Sequence, residues 1–550
     1  MNSTLASASP YLASFPFPSS LPTAVVIPLA IVGAFIVICL VNGLSQILIP
    51  QDPSLPPLVF YWIPFFGSAA SYGEEPLTFF FKCREKYGDV FTFVLMGRRM
   101  TVALGPKGNN FILGGRLTQV SAEEAYTHLT TPVFGKGVAY DVPNHVLMEQ
   151  KRFVKVGLTI EHFRAYVAMI DKEVGDYFDS SRFFPTYQTG STTEWGKFNA
   201  FRALSELTIL TASRTLQGEE VRNGLDASFA QYYHDLDGGF TPLNFMFPNL
   251  PLPSYWRRDR AHKAMSDFYI NVIQKRKEQG GSEAGYDMIE SLMNQTYKDG
   301  RALYDYEVAH IMIALLMAGQ HTSSATTSWA LLHATARPDI MEKMWEEQVK
   351  LFGQPDGTLR PMTFEDMKEM PVLDSVIRET LRMHPPIHSI IRKVIAPMDV
   401  PGSLAAPSKD RSYQIPKGHF LLASPAVAQI DPKIWKNADT WEPGRWNDTD
   451  GVAAEEYKKY VDSEGDKVDY GFGLVSKGTE SQYLPFGAGR HRCIGEQFAY
   501  VQVGTIIASF VRRIEMKIEG RVPDHNYRTM ITLPKEPCNI MYRRRQAPSA

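Results

Sequence analysis

The chain has 550 residues but few cysteines, almost no net charge, and no charged side chain before Asp52. Its four cysteines are far apart and form no CxxC pair, which argues against a disulfide framework and against a zinc site. A net charge of −2 provides no strong basic field, which argues against nucleic acid as a partner. Hydrophobic residues make up 44% of the chain, which is enough for a large core.

The uncharged N-terminal region contains an apolar run, 23–49, that is long enough to span a bilayer. No basic residue precedes the run and it is too long for a cleaved signal peptide, so we predict a retained transmembrane anchor. Before it, 1–22 is predicted to be a lumenal tail, which contains a glycosylation sequon at Asn2. A proline-rich hinge and an aromatic segment occupy 50–68. The aromatic part, 58–67, either contacts the membrane interface or caps the core.

The remaining residues, 69–550, are predicted to form one domain that is mainly α with small β-sheets. The segments VFTFVLMG and RMTVALG alternate like a hairpin pair of strands. The acidic, glycine-bearing stretch Asp448–Glu480 is interpreted as a surface insertion. Helical periodicity marks Glu149–Leu158, Glu161–Phe178, Asn199–Leu216 and Arg257–Glu278, and β structure is predicted near Asp399–Ala423 and the C-terminus.

The most informative stretch is Pro485–Glu496, which reads PFGAGRHRCIGE. Its glycines let a bulky flat ligand approach the backbone and supply positive φ where a turn needs it. Arg490, His491 and Arg492 precede Cys493, and such basic neighbours are expected to lower the pKa of the thiol toward the metal-binding thiolate. A helical pattern follows the cysteine, so amides at the start of that helix can donate to the sulfur.

The spacing of Phe486, Gly489, Cys493 and Gly495 resembles the haem-thiolate loop of the cytochrome P450 family. The resemblance implies that Cys493 is the axial ligand of a haem iron. It also implies that Phe486, Gly487 and Gly489 contact the haem. The loop by itself leaves another interpretation open, a buried structural cysteine in a glycine-rich turn.

A run that is apolar nearly all round, Ile311–Thr335, predicts a buried helix. Gly319 and Thr322 interrupt it, and the Thr322 hydroxyl can bond the carbonyl oxygen of Ala318 four residues earlier. This bond would open the helix locally and form a polar notch in an apolar wall. By itself the pattern also fits a buried helix with a satisfied threonine.

The same helix carries the motif GQHTS, in which His321 precedes Thr322. Most of the cytochrome P450 family has an acid at the position of His321, whereas GQHTS resembles the sterol 14α-demethylases. By that resemblance Thr322 and His321 are the catalytic residues that deliver protons for oxygen activation. Asp235 and Asp237 are candidate ion-pair partners of His321.

In ETLRMHPP, Glu379 and Arg382 are three residues apart and share one helix face, and the two prolines end that helix. An E-x-x-R match is common by chance. The downstream segment WEPGRW resembles the family segment whose arginine, here Arg445, joins the pair. The resemblance implies a buried charge network of Glu379, Arg382 and Arg445 that stabilises the haem-side scaffold.

The segment YTHLTTPVFGKGVAYDVPNHVLMEQKRF resembles the access loop of sterol 14α-demethylases, most closely the fungal ones. Haem propionates need hydroxyl donors and cations, which the resemblance assigns to Tyr126, Tyr140, Lys151, Arg392 and His491. It assigns the lining of the substrate cavity to Tyr126, Leu129, Thr130, Phe134, Tyr140, Phe240, Ala318, Ile387, Ser389, Ile390 and Met530.

These motifs, together with VDYGFGLVSKG, resemble a fungal sterol 14α-demethylase from about Pro50 onward. The resemblance implies the cytochrome P450 fold and a haem b (iron protoporphyrin IX) cofactor. It implies removal of the 14α-methyl group of lanosterol or eburicol by successive oxidations with O2, releasing formate, in ergosterol biosynthesis. Electrons would come from NADPH through a separate cytochrome P450 reductase, because the chain has no Gly-rich dinucleotide fingerprint.

The same resemblance implies azole inhibitors as ligands of the iron. It also implies a single-pass protein of the endoplasmic reticulum membrane whose catalytic domain is cytosolic. Two alternatives stay open: a different microsomal cytochrome P450 that oxidises fatty acids or foreign compounds, and a haem-binding membrane protein without turnover. His321 and the Tyr126–Lys151 segment argue against the first alternative.

Overall fold

The computed structural model describes residues 23–224, 227–280, 287–404, 412–465 and 479–546. The helices are α1 Thr23–Leu48, α2 Ala69–Glu74, α3 Pro76–Tyr87, α4 Gly105–Leu113, α5 Glu123–Phe134, α6 Asn144–Val156, α7 Ile160–Ser180, α8 Pro185–Gln188, α9 Ala200–Ala212, α10 Glu219–Asn223, α11 Ala227–Asp237, α12 Pro242–Met246, α13 Pro253–Gln279, α14 Met288–Met293, α15 Asp305–Thr335, α16 Pro338–Phe352, α17 Pro371–Met383, α18 Pro425–Gln429, α19 Val452–Gly465 and α20 Glu496–Arg513. Short 3-10 turns occupy Ala139–Asp141, Glu365–Glu369, Gly402–Leu404, Pro443–Asn447 and Gly489–His491, and a π-helical segment occupies Ser213–Gln217.

The strands are short and form small sheets. They are β1 Val90–Leu95, β2 Arg98–Ala103, β3 Val120–Ser121, β4 Gly196–Asn199, β5 Ile390–Val394, β6 Met398–Val400, β7 Tyr413–Ile415, β8 Phe420–Ala423, β9 Ile514–Ile518, β10 His525–Asn526, β11 Leu533–Pro534 and β12 Asn539–Arg544. The largest sheet has the order β1-β2-β8-β5-β3, and a second has the order β4-β12-β9. The β1–β2 hairpin turns at Met96 and Gly97, both with positive φ, as a two-residue hairpin turn requires.

α1 is exposed over its apolar length, and Val25–Leu48 is long and apolar enough to cross a membrane. Near its end, Asn42 Nδ2 donates to the carbonyl oxygens of Tyr61 and Trp62 at 2.8 and 3.0 Å. Gln46 bonds both the N–H and the C=O of Tyr61. Gly43 is required here, because a Cβ would lie 2.4 Å from the Trp62 ring. Polar side chains therefore attach the anchor to the hinge.

The segment after the hinge packs Val59 into the core but leaves several of its aromatic rings exposed. Trp62, Phe65 and Phe66 are each about half exposed. The Phe65 ring stacks on Phe247, with ring centroids 6.3 Å apart. These rings leave an exposed aromatic surface beside the end of α1, and Trp256 on α13 is exposed as well.

α15 is the central helix of the core. It has apolar residues on nearly all sides, and it packs against α9, α13, α17 and α20. At its start Glu307 accepts from the N–H of Tyr304 at 2.8 Å and pairs with Arg301. This helix is long enough to place its middle turns in the interior, where they face the hollow described below.

The predicted elements agree with the structure in type, including the helices, the β1–β2 hairpin and the β structure near 399–423. The predicted surface insertion contains α19, which the sequence did not predict. Ala453 and Glu456 on this helix are buried, and Glu456 accepts from the N–H of Gln482. A local charge and glycine pattern does not reveal that contact. The lumenal tail with its Asn2 sequon and the VDYGFGLVSKG motif lie outside the described residues.

Candidate active site

The cysteine loop is held by backbone hydrogen bonds before α20 begins. The N–H of Cys493 donates to Phe486 O at 3.0 Å, and the N–H of Arg492 donates to Gly489 O at 2.9 Å. Gly487 and Gly489 have φ of 70° and 72°, in the left-handed region that the predicted turn needs. The loop thereby places the Cys493 side chain at an accessible surface, three residues before α20 begins at Glu496.

The structure contradicts the expected lowering of the thiol pKa. The surrounding protein removes water from the thiol of Cys493, which raises its pKa, and the negative charge of Glu496 adds to this effect. Lys151, Arg492 and the amide of Gly495 act in the opposite direction but do not prevail. Arg492 is engaged with Glu496 at 2.9 Å, which offsets its charge. A bound metal cation would offset this shift and stabilise the thiolate.

α15 presents an exposed stripe, at Ala318 and Gly319, toward an open space that we call the hollow, although its other faces are mostly buried. Ala318 is exposed, and a Cβ added to Gly319 would contact no atom within 4 Å. Thr322 Oγ1 donates to Ala318 O at 2.9 Å, as the sequence predicted, and α15 continues without a break. This combination gives an apolar helix wall with a polar notch at Thr322.

His321 lies beside Thr322 and points toward α11. Its Nε2 is 2.6 Å from Asp237 Oδ1, although the N–H is not aligned for a hydrogen bond. Asp235, the other predicted partner, instead bonds Gln231 and lies 3.9 Å from Arg257. The ring of Tyr233 is 6.2 Å from that of His321. The structure therefore selects Asp237 as the neighbour of His321.

Hydroxyl and cationic groups cluster close to the cysteine loop. The rings of Tyr126 and Tyr140 are 5.1 Å apart, and Tyr140 is 6.1 Å from His491. Lys151 Nζ donates to Arg490 O and Arg492 O at 3.2 and 2.9 Å. These four residues and Arg392 come from separate parts of the chain, and the fold brings them close together. Their contact with haem propionates stays a prediction.

The electrostatics of this cluster are those of a site built for anions. Burial, together with the smaller effect of the Arg392 charge, lowers the pKa of Lys151 to about 8, although the nearby Cys493 acts in the opposite direction. Burial and the neighbouring cations hold the pKa of His491 well below its usual range, so His491 acts as a neutral hydrogen-bonding group. Within the described part of the chain, no carboxylate forms an ion pair with the buried Arg392. Buried cations of this kind call for carboxylate partners.

The residues present fit a haem. The accessible sulfur of Cys493 provides a metal ligand, and Gly319 leaves open space where a side chain would intrude. Lys151 and Arg392 provide the positive charge that two buried propionates require. The three features match three parts of the same cofactor, which are its metal, its flat ring and its two acidic propionates.

Glu379, Arg382 and Arg445 form the predicted network. Arg382 donates to both carboxylate oxygens of Glu379 at 2.9 and 3.0 Å, and Arg445 Nε donates to Glu379 Oε1 at 2.9 Å. Trp446 Nε1 donates to the other oxygen at 3.0 Å. Arg382 also donates to backbone carbonyl oxygens of Gln429 and Ala438. The pair Glu379–Arg382 is fully buried, so every charge has a partner.

The predicted cavity residues are partly brought together. Phe134 and Phe240 are 5.4 Å apart, and Thr130 Oγ1 donates to Tyr126 O. Tyr126 Oη accepts from the N–H of Ile391 at 2.9 Å. Leu129 and Thr130 are buried, Ile387 is half exposed, and Tyr140, Ser389, Ile390 and Met530 are of intermediate exposure. The shared cavity wall of Met530 and Phe240 stays a prediction.

Two polar contacts were not predicted. Asn144 Nδ2 lies 3.4 Å from His491 Nε2, and it also donates to Glu123. Arg492 pairs with Glu496 across one turn of chain. The i, i+4 spacing of the second pair was visible in the sequence, whereas Asn144 and His491 are 347 residues apart and gave no local signal.

A protein-family model described as Cytochrome P450 matches residues 56–542. The chain belongs to the cytochrome P450 family. The solved structure of retinoic acid bound cyanobacterial CYP120A1 matches this P450 fold with a TM-score of 0.70 at 18% identity, covering 90% of this chain and 100% of that chain. The cytochrome P450 family implies a haem-thiolate cofactor, for which Cys493 is the candidate ligand.

Curated relatives of this cytochrome P450 include three fungal proteins. Lanosterol 14-alpha demethylase of Mycosarcoma maydis is 54% identical over 513 residues, which cover 91% of this chain and 90% of the relative. Lanosterol 14-alpha demethylase of Candida tropicalis is 50% identical and covers 89% of this chain and 90% of the relative. Sterol 14-alpha demethylase cyp51A of Aspergillus fumigatus is 48% identical, with 89% and 92% covered.

Proposed function

We propose that this cytochrome P450 is a sterol 14α-demethylase that acts on lanosterol or eburicol. The observation that carries the proposal is the 54% identity to a lanosterol 14-alpha demethylase over 91% of the chain. The site supports it, because Gly319 and Thr322 of the GQHTS segment lie next to the exposed Ala318 on α15. The reaction uses O2 and electrons from NADPH through a separate reductase, and it releases the methyl carbon as formate.

Haem b bound at Cys493 would supply the oxygen chemistry, while the protein supplies orientation and protons. Thr322 Oγ1 donates to Ala318 O, so its lone pairs are left to accept from a group in the hollow. Rotation of the hydroxyl reverses these roles and delivers a proton to the hollow. His321, next to Asp237, is the residue proposed to renew that proton.

The walls of the hollow suit a large apolar substrate. Phe134 and Phe240, which the proposal assigns to these walls, lie 5.4 Å apart, and the hydroxyls of Tyr126 and Thr130 are engaged with backbone atoms. Polar groups that already have hydrogen-bond partners lose little free energy when a sterol covers them. Azole inhibitors are proposed to bind in the same hollow, with a nitrogen directed at the iron.

We place the protein on the endoplasmic reticulum membrane as a single-pass protein with a cytosolic catalytic domain. α1 provides the span, and the exposed aromatic rings near Trp62 and Trp256 suit the membrane interface. The proposed divisions are a tail at 1–22, the anchor at 23–49, the hinge at 50–68 and the catalytic domain at 69–550.

Turnover of purified full-length protein with a cytochrome P450 reductase tests the function. Lanosterol and eburicol are supplied separately, and demethylated sterol and formate are measured together. Equal formate and product from at least one sterol supports the proposal. Oxidation of fatty acids without sterol demethylation would indicate a different cytochrome P450 monooxygenase, and haem binding without reductase-dependent O2 use would indicate a non-catalytic protein.

The Cys493→Ser variant is the matching control. It is expected to lose the thiolate spectrum and the demethylation together, because serine does not provide a thiolate to the iron. An unaltered CO-difference spectrum in that variant would contradict the assignment of Cys493.

A further inference from the structure

Three imidazoles form a hydrogen-bonded chain outside the residues that the proposed reaction uses. His333 Nε2 is 2.6 Å from His384 Nε2, and His384 Nδ1 is 2.7 Å from His525 Nε2. They belong to α15, to the residue after α17 and to β10, respectively. The Trp329 ring stacks on His384 with centroids 4.0 Å apart and planes 7° apart, and Trp441 stacks on His333.

The hydrogen bonds select one set of neutral tautomers. His525 also bonds the carbonyl oxygen of Met383, so that ring nitrogen carries the proton and Nε2 is an acceptor. His384 therefore donates from Nδ1 and accepts at Nε2, and His333 donates from Nε2. Because His384 both donates and accepts, removal of its ring nitrogens breaks both links at once.

The chain is continuous with two segments that are predicted to line the sterol cavity. His384 is followed directly by 385–390, which contains Ile387, Ser389 and Ile390. His525 begins the segment 525–532, which contains Met530.

Further bonds join both segments to α15. The N–H of Thr532 donates to Pro386 O at 2.9 Å. Trp329 Nε1 donates to Thr532 O at 3.2 Å. α15 is the same helix that presents Ala318 and Thr322 to the hollow. The two segments are thus held to each other and to the helix that carries the proposed catalytic residues.

We propose that His333, His384 and His525 are positioning residues for sterol binding, which hold 385–390 and 525–532 at a fixed position relative to α15. That the ligand is a sterol rests on the proposed function. Stacked rings with defined tautomers hold one geometry, whereas apolar packing alone allows neighbouring arrangements. The imidazoles contact none of the predicted catalytic atoms. Substitution of these histidines is therefore expected to change the affinity for sterol rather than the rate of the chemical step.

Two substitutions of the central residue separate positioning from packing. His384→Phe keeps a ring against Trp329 but removes both hydrogen bonds, whereas His384→Gln keeps one donor and one acceptor. In the full-length holoprotein, we expect His384→Phe to raise the sterol Kd and KM about tenfold, for the loss of buried hydrogen bonds, with kcat within about twofold. His384→Gln should recover most of the affinity. His145→Gln, at an exposed position on α6, should bind sterol like the wild type.

Hydrogen exchange measured by mass spectrometry gives a readout that needs neither sterol nor turnover. We expect faster amide exchange in 385–390 and 525–532 of His384→Phe, with α16 unchanged. If His384→Phe loses haem, His525→Phe at the half-buried end of the chain replaces it, with the same expected changes. Unchanged sterol affinity, or exchange that rises equally in α16, would overturn the proposal. If the wild type binds no sterol but His384→Phe still exchanges faster in 385–390 and 525–532, the proposed substrate is refuted and the positioning role is supported.

Discussion

At the scale of single residues, surroundings decide protonation more than residue type does. Basic neighbours precede Cys493, yet burial and Glu496 raise the pKa of its thiol. Lys151 is a lysine whose pKa burial lowers to about 8. Both shifts disfavour a charge in the absence of a partner, and both would be relieved by a cofactor that carries a metal cation and two carboxylates.

The first prediction concerns Lys151. Lys151→Met is expected to speed haem release about tenfold, because a charge-assisted bond to a propionate is lost. Lys155→Met, one turn later on α6 and exposed, should release haem like the wild type. The measurement is haem transfer to an excess of apomyoglobin. If both variants transferred haem at the same rate, the role of Lys151 as a partner of a haem propionate would be refuted.

The second prediction concerns proton delivery. The double variant Thr322→Ala/His321→Ala should consume NADPH with little demethylated product, because oxygen is activated without a placed proton donor. Thr327→Ala is the matched control, since Thr327 Oγ1 makes the same bond to a carbonyl four residues earlier but is buried on another face. The ratio of product to NADPH is measured for each. Unchanged coupling in the double variant would refute the role of the pair.

At the scale of elements, the scaffold depends on a charge network rather than on apolar packing alone. α17 places Glu379 and Arg382 on one face, and the turn Pro443–Asn447 brings Arg445 and Trp446 to the same carboxylate. The network therefore connects a helix to a loop that follows it by more than 60 residues. Removing one member leaves a buried charge without its partner.

The third prediction tests this network. Glu379→Ala leaves the buried Arg382 without a carboxylate and should cost about 3–5 kcal/mol in the free energy of unfolding, with loss of haem incorporation. Asp374→Ala, on the same helix, removes the partially exposed pair with Arg378 and should cost at most about 1 kcal/mol. Urea unfolding and the haem-to-protein ratio are compared. A Glu379→Ala protein with normal haem content would contradict the structural role.

At the scale of the whole molecule, several histidines are buried in the neutral form. Burial lowers the pKa of His333 to about 3 and those of His262, His388, His419 and His525 to about 4. The unfolded chain binds protons at these sites near pH 6.5. Between about pH 4 and 6.5 the unfolded state therefore binds more protons than the folded state, so stability falls as the pH falls.

The fourth prediction follows from this loss of stability at lower pH. The urea midpoint of the detergent-solubilised holoprotein should be constant between pH 7.5 and 7 and should drop steeply from about pH 6.5 to 5, since each such histidine contributes up to ~1.4 kcal/mol per pH unit. Asp366, whose pKa Arg360 lowers to about 2, loses its contribution only below pH 4. Tryptophan fluorescence monitors unfolding. A midpoint that stays level to pH 5 would show that these histidines are already protonated in the folded protein.

Local patterns were sufficient wherever a property depends on neighbours along the chain. The periodicity of Ile311–Thr335 predicted α15, the spacing of Glu379 and Arg382 predicted their shared face, and Thr322 bonds Ala318 as its spacing required. The same reasoning did not find α19 or the sign of the Cys493 pKa shift. Those depend on burial, which is set by distant residues.

The sequence by itself determined the family, the identity of the candidate iron ligand and the type of the main elements, because motifs and periodicities are short-range. Only the tertiary structure decided that Asp237 faces His321, and that His333, His384 and His525 form one chain. Those contacts join residues 51 to 141 positions apart. No spacing rule reaches across such distances, since the packing of helices and strands alone determines which side chains meet.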